Sequence, residues 1–145
     1  LVGSEMCIRD RSYPAMIDAG VDVRLGTDGA ASNNGLDMRA EARAASLIQK
    51  HDHWDATILD PLETWQLATR GSSDWVTWDL SDIRMRPRGR GGRRILSNLI
   101  YSGAQCMDVF VDGRAIRRDG RTLTLDEEKL AHELEDAAQE YYSEI

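Results

Sequence analysis

The chain has 145 residues, of which 30% are charged, with a formal net charge of −7 and a pI near 4.9. This acidic balance argues against a nucleic-acid partner, because proteins that bind phosphate backbones usually carry a basic face. No apolar run approaches the roughly 18 residues needed to span a bilayer, and no signal peptide is recognisable at the start. We therefore expect a cytoplasmic protein that binds neither nucleic acid nor membrane.

The first eleven residues, LVGSEMCIRDR, resemble a translated sequencing adaptor. We interpret residues 1–11 as an artefact and leave them out of the fold prediction. Cys7 falls within them, so Cys106 is the one native thiol and no disulfide framework is expected. No His or Cys lies at ligand spacing from Cys106, which we interpret as structural.

A β-strand is predicted from Val21 to Leu25, where apolar and polar residues alternate. It ends at the segment Gly-Thr-Asp-Gly, whose small residues leave the Asp28 carboxylate exposed. Catalytic groups of (β/α)-barrel enzymes lie at the carboxyl ends of such strands, and a carboxylate suits a divalent metal or a proton-accepting role. A turn in which the Asp28 side chain bonds backbone amides two residues on fits the same four residues.

Two helices are predicted next, one from Leu36 to Lys50 and one from Pro61 to about Gly71. The first has apolar residues every three to four positions, at Leu36, Ala40, Ala44, Leu47 and Ile48, with Ala42 and Ala45 widening the same face. Such a pattern is typical of a helix that packs one face on a barrel wall.

Beyond residue 72 the sequence predicts a small β-structure followed by a helix. An alternating strand covers Asp74 to Leu80, and a hairpin about Asp112-Gly113 joins Asp108–Val111 to Arg114–Arg117. A short helix is predicted from Ile95 to Tyr101 and an acidic amphipathic helix from about Asp126.

Arg84 to Arg94 is a segment with six arginines, RMRPRGRGGRR. It could be an anion-binding or nucleic-acid-binding patch. The lack of interleaved aromatic residues favours an irregular loop instead.

The histidines are not interpreted as metal ligands. His51 and His53 form a His-x-His pair, but no apolar strand precedes them, so a solvated loop after the helix is expected. His132 lies among Glu and Ala in the terminal helix and is expected at the surface.

The string from Val21 to Asn34, VDVRLGTDGAASNN, resembles the last barrel strand and following loop of the amidohydrolase superfamily. It is most similar to the 5-methylthioadenosine/S-adenosylhomocysteine deaminases, in which GTDGAASNN is a nearly verbatim signature. The resemblance continues, with interruptions, through LDMRAEARAASLIQK, DPLETWQLATRGS, DWVTWDL, SNLIYSG and DVFVDGRAIRRDGRTLTLDEE.

The resemblance implies an α/β fold: the C-terminal end of a (β/α)8 metal-dependent hydrolase barrel, part of the small β-domain, and a terminal helix. Because such a barrel needs about 250 residues, we expect the chain to be a C-terminal fragment. Residues 12–72 would be the last strand and closing helices, 73–125 a remnant of the small β-domain, and 126–145 the C-terminal helix. An internal deletion is expected near residues 72 and 73.

By the same resemblance, Asp28 matches the family aspartate that contacts the catalytic metal, usually zinc, and manages the proton of the attacking water. The other metal ligands are expected outside this fragment. Ser32 and Asn33 are implied as substrate contacts at the pocket mouth, although capping of the next helix suits them equally.

The implied activity is the hydrolytic deamination of an adenosine-type substrate, 5-methylthioadenosine or S-adenosylhomocysteine, with release of ammonia. One alternative is another amidohydrolase, of the 8-oxoguanine deaminase or triazine hydrolase type. A second is a non-catalytic fragment that is inactive on its own. The expected partner is a small nucleoside-type molecule, and a homo-oligomeric parent protein is compatible with the sequence.

Overall fold

The computed structural model of the protein describes residues 12–71 and 73–143. The proposed adaptor segment, residues 1–11, lies outside the described residues, as does Ser72 beside the expected deletion. The described chain divides into two compact units. The first comprises residues 12–71 and 81–104, and the second comprises residues 73–80 and 105–143. Within the described ranges, no helix combines the length and the apolar character that crossing a membrane requires.

The first unit is helical, and aspartates fix where its two main helices begin. Its helices are α1 (Tyr13–Asp18), α2 (Ala30–Asn33), α3 (Met38–His53), α4 (Pro61–Thr69), a short 3-10 helix (Ile83–Met85) and α5 (Gly92–Ser102). Asp37 accepts hydrogen bonds from the first backbone N–H groups of α3, and Asp60 does the same for α4. These carboxylates satisfy donors that the helices leave without a partner.

The core of the first unit forms where α1, α3 and α4 meet. Tyr13, Ala45, Leu59 and Leu67 make a buried cluster, and four partly buried side chains pack against it: Met16, Val23, Leu25 and Ile58. Further buried apolar residues follow at Met85, Leu99 and Ile100.

The buried face of α3 differs from the predicted one. Leu36 lies outside the helix, and Leu47 and Ile48 are exposed. The helix buries Ala42 and Ala45, which the predicted face included, together with the polar residues Ser46 and Gln49. Polar residues are tolerated there because they are hydrogen-bonded: the Ser46 hydroxyl donates to the Leu59 carbonyl (2.9 Å) and the Gln49 side chain accepts from the Tyr13 amide (2.9 Å).

The prediction of a strand from Val21 to Leu25 is wrong for the described structure, which has no strand there. Sheet pairing needs neighbouring backbones, and the described residues offer this segment no strand partner. The Leu25 amide donates instead to the Leu67 carbonyl of α4 (3.0 Å). The side chains of Val23 and Leu25 still face the core, as their alternation predicted.

The arginine-rich segment is more regular than the predicted loop. It begins within the 3-10 helix and ends within the first turn of α5, and Met85 is fully buried. The Asn98 side chain donates to the Pro87 carbonyl (3.1 Å). Residues 81–104 therefore pack within the first unit, whereas the sequence grouped 73–125 as one β-domain remnant. The physical reason is the burial of Met85, Leu99 and Ile100.

The second unit is a four-stranded antiparallel sheet in the order β1 (Trp75–Trp78), β2 (Cys106–Val111), β3 (Arg114–Arg118) and β4 (Arg121–Thr122). Asp112 and Gly113 turn between β2 and β3 with φ of 50° and 75°, as an Asp-Gly hairpin requires. Trp75 stacks on Phe110 across the first strand pair, with ring centroids 3.8 Å apart. Helix α6 (Glu127–Ser143) follows. The predicted α/β class is thereby confirmed.

Acid should destabilise the first unit through Asp60. Backbone N–H donation from Glu63, followed by contacts with Arg93, lowers the pKa of the Asp60 carboxyl. A lowered folded-state pKa gives stability that is present above the unfolded pKa, about 3.9, and is lost as the pH falls through the folded value. We expect the free energy of unfolding, measured by denaturant titration, to decrease below about pH 4.

The variant Asp60→Asn keeps a good helix cap but removes the charge. Its unfolding free energy should therefore fall less steeply with acid. Asp18→Asn, which changes an exposed aspartate of α1, is the control and should keep the parental slope. Equal slopes in all three proteins would contradict this account.

Candidate functional site

Asp28 lies in an exposed loop between the core-packed segment 21–25 and helix α2. Because Val23 and Leu25 are anchored on the core and the Leu25 amide is bonded to α4, the chain reaches the surface immediately after them. Asp28 has a φ of 57°, in the left-handed region that Asp and Asn occupy more readily than most residues. The loop therefore presents its carboxylate to solvent.

The Asp28 carboxylate is oriented by two local donors. Its Oδ1 accepts a hydrogen bond from the Gly29 backbone N–H (2.7 Å), and its Oδ2 accepts one from the Ser32 hydroxyl (3.3 Å). The Thr27 hydroxyl donates to the Asp28 carbonyl (3.1 Å). The turn interpretation thus holds in modified form, since the backbone amide that is bonded lies one residue on and not two.

The structure brings Ser32 to Asp28 because α2 turns the chain back by one helical turn between them. The alternative role of Ser32, capping the next helix, is wrong: Asp37 caps α3 by accepting from the Arg39 and Ala40 amides. Asn33 is the last residue of α2, and its side chain lies outside the described part of the structure.

Ion pairs hold the segment that leads to Asp28. Asp22 contacts the guanidinium groups of Arg24 and Arg70, each at 2.9 Å. Hydrogen bonds from Arg24 and then Arg70 lower the pKa of the Asp22 carboxyl. The pair with Arg70 ties the segment to the end of α4.

The described residues do not form a complete metal site. Among them, no group of three or more His, Cys, Asp or Glu side chains is placed to hold a cation. Zinc sites use three or four protein ligands, whereas the loop offers one carboxylate. Asp28 suits one position of such a site by its chemistry, but the described set does not fit zinc on its own.

His51 and His53 lie in the last turn of α3, so the prediction of a loop at these residues is wrong. His53 Nδ1 contacts the Gln49 carbonyl (3.0 Å), and Nε2 contacts the Ser12 hydroxyl (2.8 Å). A carbonyl can only accept, so Nδ1 carries the proton and a neutral ring accepts from Ser12 through Nε2. With both nitrogens engaged, His53 is a structural residue.

Cys106 lies half-buried on β2, and burial raises the pKa of its thiol. A raised pKa disfavours the thiolate that nucleophilic or metal-binding chemistry needs. This arrangement favours the predicted structural role.

A cavity of about 210 Å³ in the first unit lies beside the segment that leads to the loop. Its walls include core side chains of α1, α3 and α4 together with Val23, Leu25 and Gly26. Asp28 and Ser32 are not among its lining residues. No pattern in the sequence indicated this cavity, because it depends on tertiary packing.

A solved structure resembles this chain closely in fold. It is an adenosine deaminase from Xanthomonas campestris with bound zinc, which superposes with a TM-score of 0.77 at 30% sequence identity. The match covers 89% of this chain and 33% of that one. The segment therefore has the fold of part of a zinc-containing deaminase.

The curated relatives show which kind of deaminase the chain resembles in sequence. The chain is 38% identical over 136 residues to a 5-methylthioadenosine/S-adenosylhomocysteine deaminase of Bacillus cytotoxicus, and 38% identical over 139 residues to those of Bacillus thuringiensis and Bacillus cereus. Each match covers 82% of this chain and 31% of the relative, so the chain spans about a third of their length. No family model matches the sequence. The predicted resemblance to amidohydrolase deaminases is confirmed by homology to a part of these enzymes.

Proposed function

We propose that this chain is the Asp28-bearing part of a hydrolytic deaminase that acts on an adenosine-type nucleoside, 5-methylthioadenosine or S-adenosylhomocysteine. The observation that carries the proposal is the exposed Asp28 carboxylate in the GTDGAASNN loop, oriented by Gly29 and Ser32. Support comes from the names of the curated relatives and of the structural neighbour. Since the chain spans 31% of those relatives, the activity belongs to a longer protein in this proposal.

Asp28 has two roles in this proposal. Its carboxylate supplies one ligand of a divalent metal, zinc by analogy with the structural neighbour, and it accepts a proton from the hydrolytic water. The other metal ligands come from outside the described residues. A (β/α)8 barrel would bring them to the end of the segment 21–25, where barrel enzymes collect their catalytic groups.

Ser32 is a candidate substrate contact in this proposal, and Asn33 is a second candidate from its place in the GTDGAASNN sequence. The variant Ser32→Ala distinguishes two possible roles of the Ser32 hydroxyl, orientation of Asp28 and contact with the substrate. If Ser32 mainly orients Asp28, the lost hydrogen bond, worth roughly 1 kcal/mol, should lower kcat several-fold at unchanged KM. If it mainly contacts substrate, KM should rise instead. Steady-state kinetics of an active full-length protein bearing this loop decides between them, and unchanged kcat and KM would remove Ser32 from the site.

The partner is a small nucleoside-type molecule, with neither nucleic acid nor membrane as a ligand of this site. The location is cytoplasmic, and the complete protein is a candidate homo-oligomer. An 8-oxoguanine deaminase or triazine hydrolase activity is the alternative within the superfamily, and the curated relatives favour the adenosine-type substrate.

A chimera tests the proposal. The matching segment of the Bacillus cytotoxicus relative is replaced by residues 12–143 of this chain, and ammonia release is measured with zinc present. We expect deamination of 5-methylthioadenosine or S-adenosylhomocysteine, with 8-oxoguanine as the comparison substrate. A folded chimera that deaminates only 8-oxoguanine, or nothing, would overturn the proposed substrate class.

A further inference from the structure

The arginine-rich segment Arg84–Arg94 holds more positive charge than the surrounding structure neutralises. Two of its arginines have carboxylate partners: Arg84 pairs with Asp82 and Arg93 with Asp60. Within the described ranges, the four other arginines form no ion pair: Arg86, Arg88, Arg90 and Arg94. Four like charges in a span of nine residues repel one another unless an anion lies among them.

One of these arginines, the half-buried Arg88, has a side-chain nitrogen without an acceptor. The Nε atom of Arg88 is buried and has no hydrogen-bond partner among the described residues. A buried cationic donor is costly to leave unbonded. It therefore indicates an acceptor that the protein part of the structure does not supply.

The backbone beside these arginines is open to a ligand. Gly91 has a φ of 99° and precedes α5 without any side-chain cap, and a Cβ added to Gly91 or Gly92 would meet nothing within 4 Å. The first N–H groups of an α-helix lack intrahelical partners. Here they belong to Gly92, Arg93 and Arg94, and the open space beside Gly91 and Gly92 leaves room for an oxyanion to approach.

We propose that Arg88, Arg90 and Arg94, together with the start of α5, bind a phosphate group. Guanidinium forks and helix N–H donors together suit a compact anion with several acceptor oxygens. A nucleic acid suits the segment less well, because it has no aromatic residue on which bases could stack and the chain as a whole carries −7. The phosphate can be inorganic or belong to a small metabolite.

The test is a titration of the 145-residue chain at constant ionic strength, followed by the backbone amide NMR signals of Gly89, Gly91 and Gly92. The probes are inorganic phosphate, AMP and adenosine. We expect saturable shifts with phosphate and AMP and none with adenosine. Tighter binding of AMP than of inorganic phosphate would indicate that the ligand is a phosphorylated metabolite. Equal affinities for AMP and inorganic phosphate would indicate that the ligand is the free ion. Both outcomes agree with the proposal.

The double variant R88Q/R90Q should bind phosphate about tenfold more weakly, since charge-assisted hydrogen bonds are lost. Arg43→Gln removes one positive charge at an exposed position of α3; it is the charge-matched control for Arg90→Gln and should leave affinity unchanged. Amide signals of the buried residues Leu99 and Ile100 report whether each variant is folded, and Arg90→Gln alone replaces the double variant if they collapse. Unsaturable shifts, shifts reproduced by chloride, or an equal loss in Arg43→Gln would overturn the proposal.

Discussion

Replacing Asp28 by Asn in the active chimera should lower kcat for nucleoside deamination by roughly 10²–10⁴-fold, the usual contribution of a positioned proton acceptor. The change preserves the size of the side chain and its contacts with Gly29 and Ser32, but an amide neither accepts the proton nor binds zinc as strongly as a carboxylate. The loss should therefore appear in kcat and in the zinc content of the purified protein.

Asp18→Asn is the matched control, because it makes the same chemical change at an exposed aspartate of the same unit. It should retain parental kinetics and parental zinc content. Thermal unfolding of both variants checks that neither has lost its structure. Near-parental turnover in Asp28→Asn would take Asp28 out of the mechanism, whatever the zinc content.

Features that depend on local sequence could be predicted closely. The hairpin at Asp112-Gly113 forms as expected because positive φ values at both turn residues suit Asp and Gly. Helix α4 begins at Pro61 as predicted, after Asp60, whose carboxylate accepts hydrogen bonds from the first-turn amides. In each case the deciding interaction lies within a few residues along the chain.

Features that depend on distant partners could not be predicted. The sequence predicted an apolar face for α3, whereas the buried face includes Ser46 and Gln49 because they are hydrogen-bonded to Leu59 and Tyr13, which lie outside this helix. The segment 21–25 kept its predicted inward side chains but not its strand pairing, since pairing depends on a second backbone. Hydrophobic periodicity carries no information about the hydrogen-bond partners of a buried polar side chain or about the strand that pairs with a given segment.

In the candidate site, too, local features could be predicted from the sequence and contacts between distant residues could not. The position and exposure of Asp28 followed from its small neighbours, and its contact with Ser32 follows from one turn of α2. His53 shows the limit of motif spacing: only the structure shows that Gln49 and Ser12 engage both of its ring nitrogens. The spacing alone could not separate a metal ligand from a structural histidine.

The 145-residue chain by itself, supplied with zinc and 5-methylthioadenosine or S-adenosylhomocysteine, should release no ammonia above the uncatalysed background. A zinc ion that activates water needs three protein ligands to hold it, and the described residues bring only the Asp28 carboxylate to the loop. Without the bound cation, a carboxylate has no activated water from which to take a proton. A coupled ammonia assay measures the rate, with the chimera as the positive control under the same conditions. Turnover by the isolated chain that chelation abolishes would contradict this prediction, since it would require a complete metal site within these 145 residues.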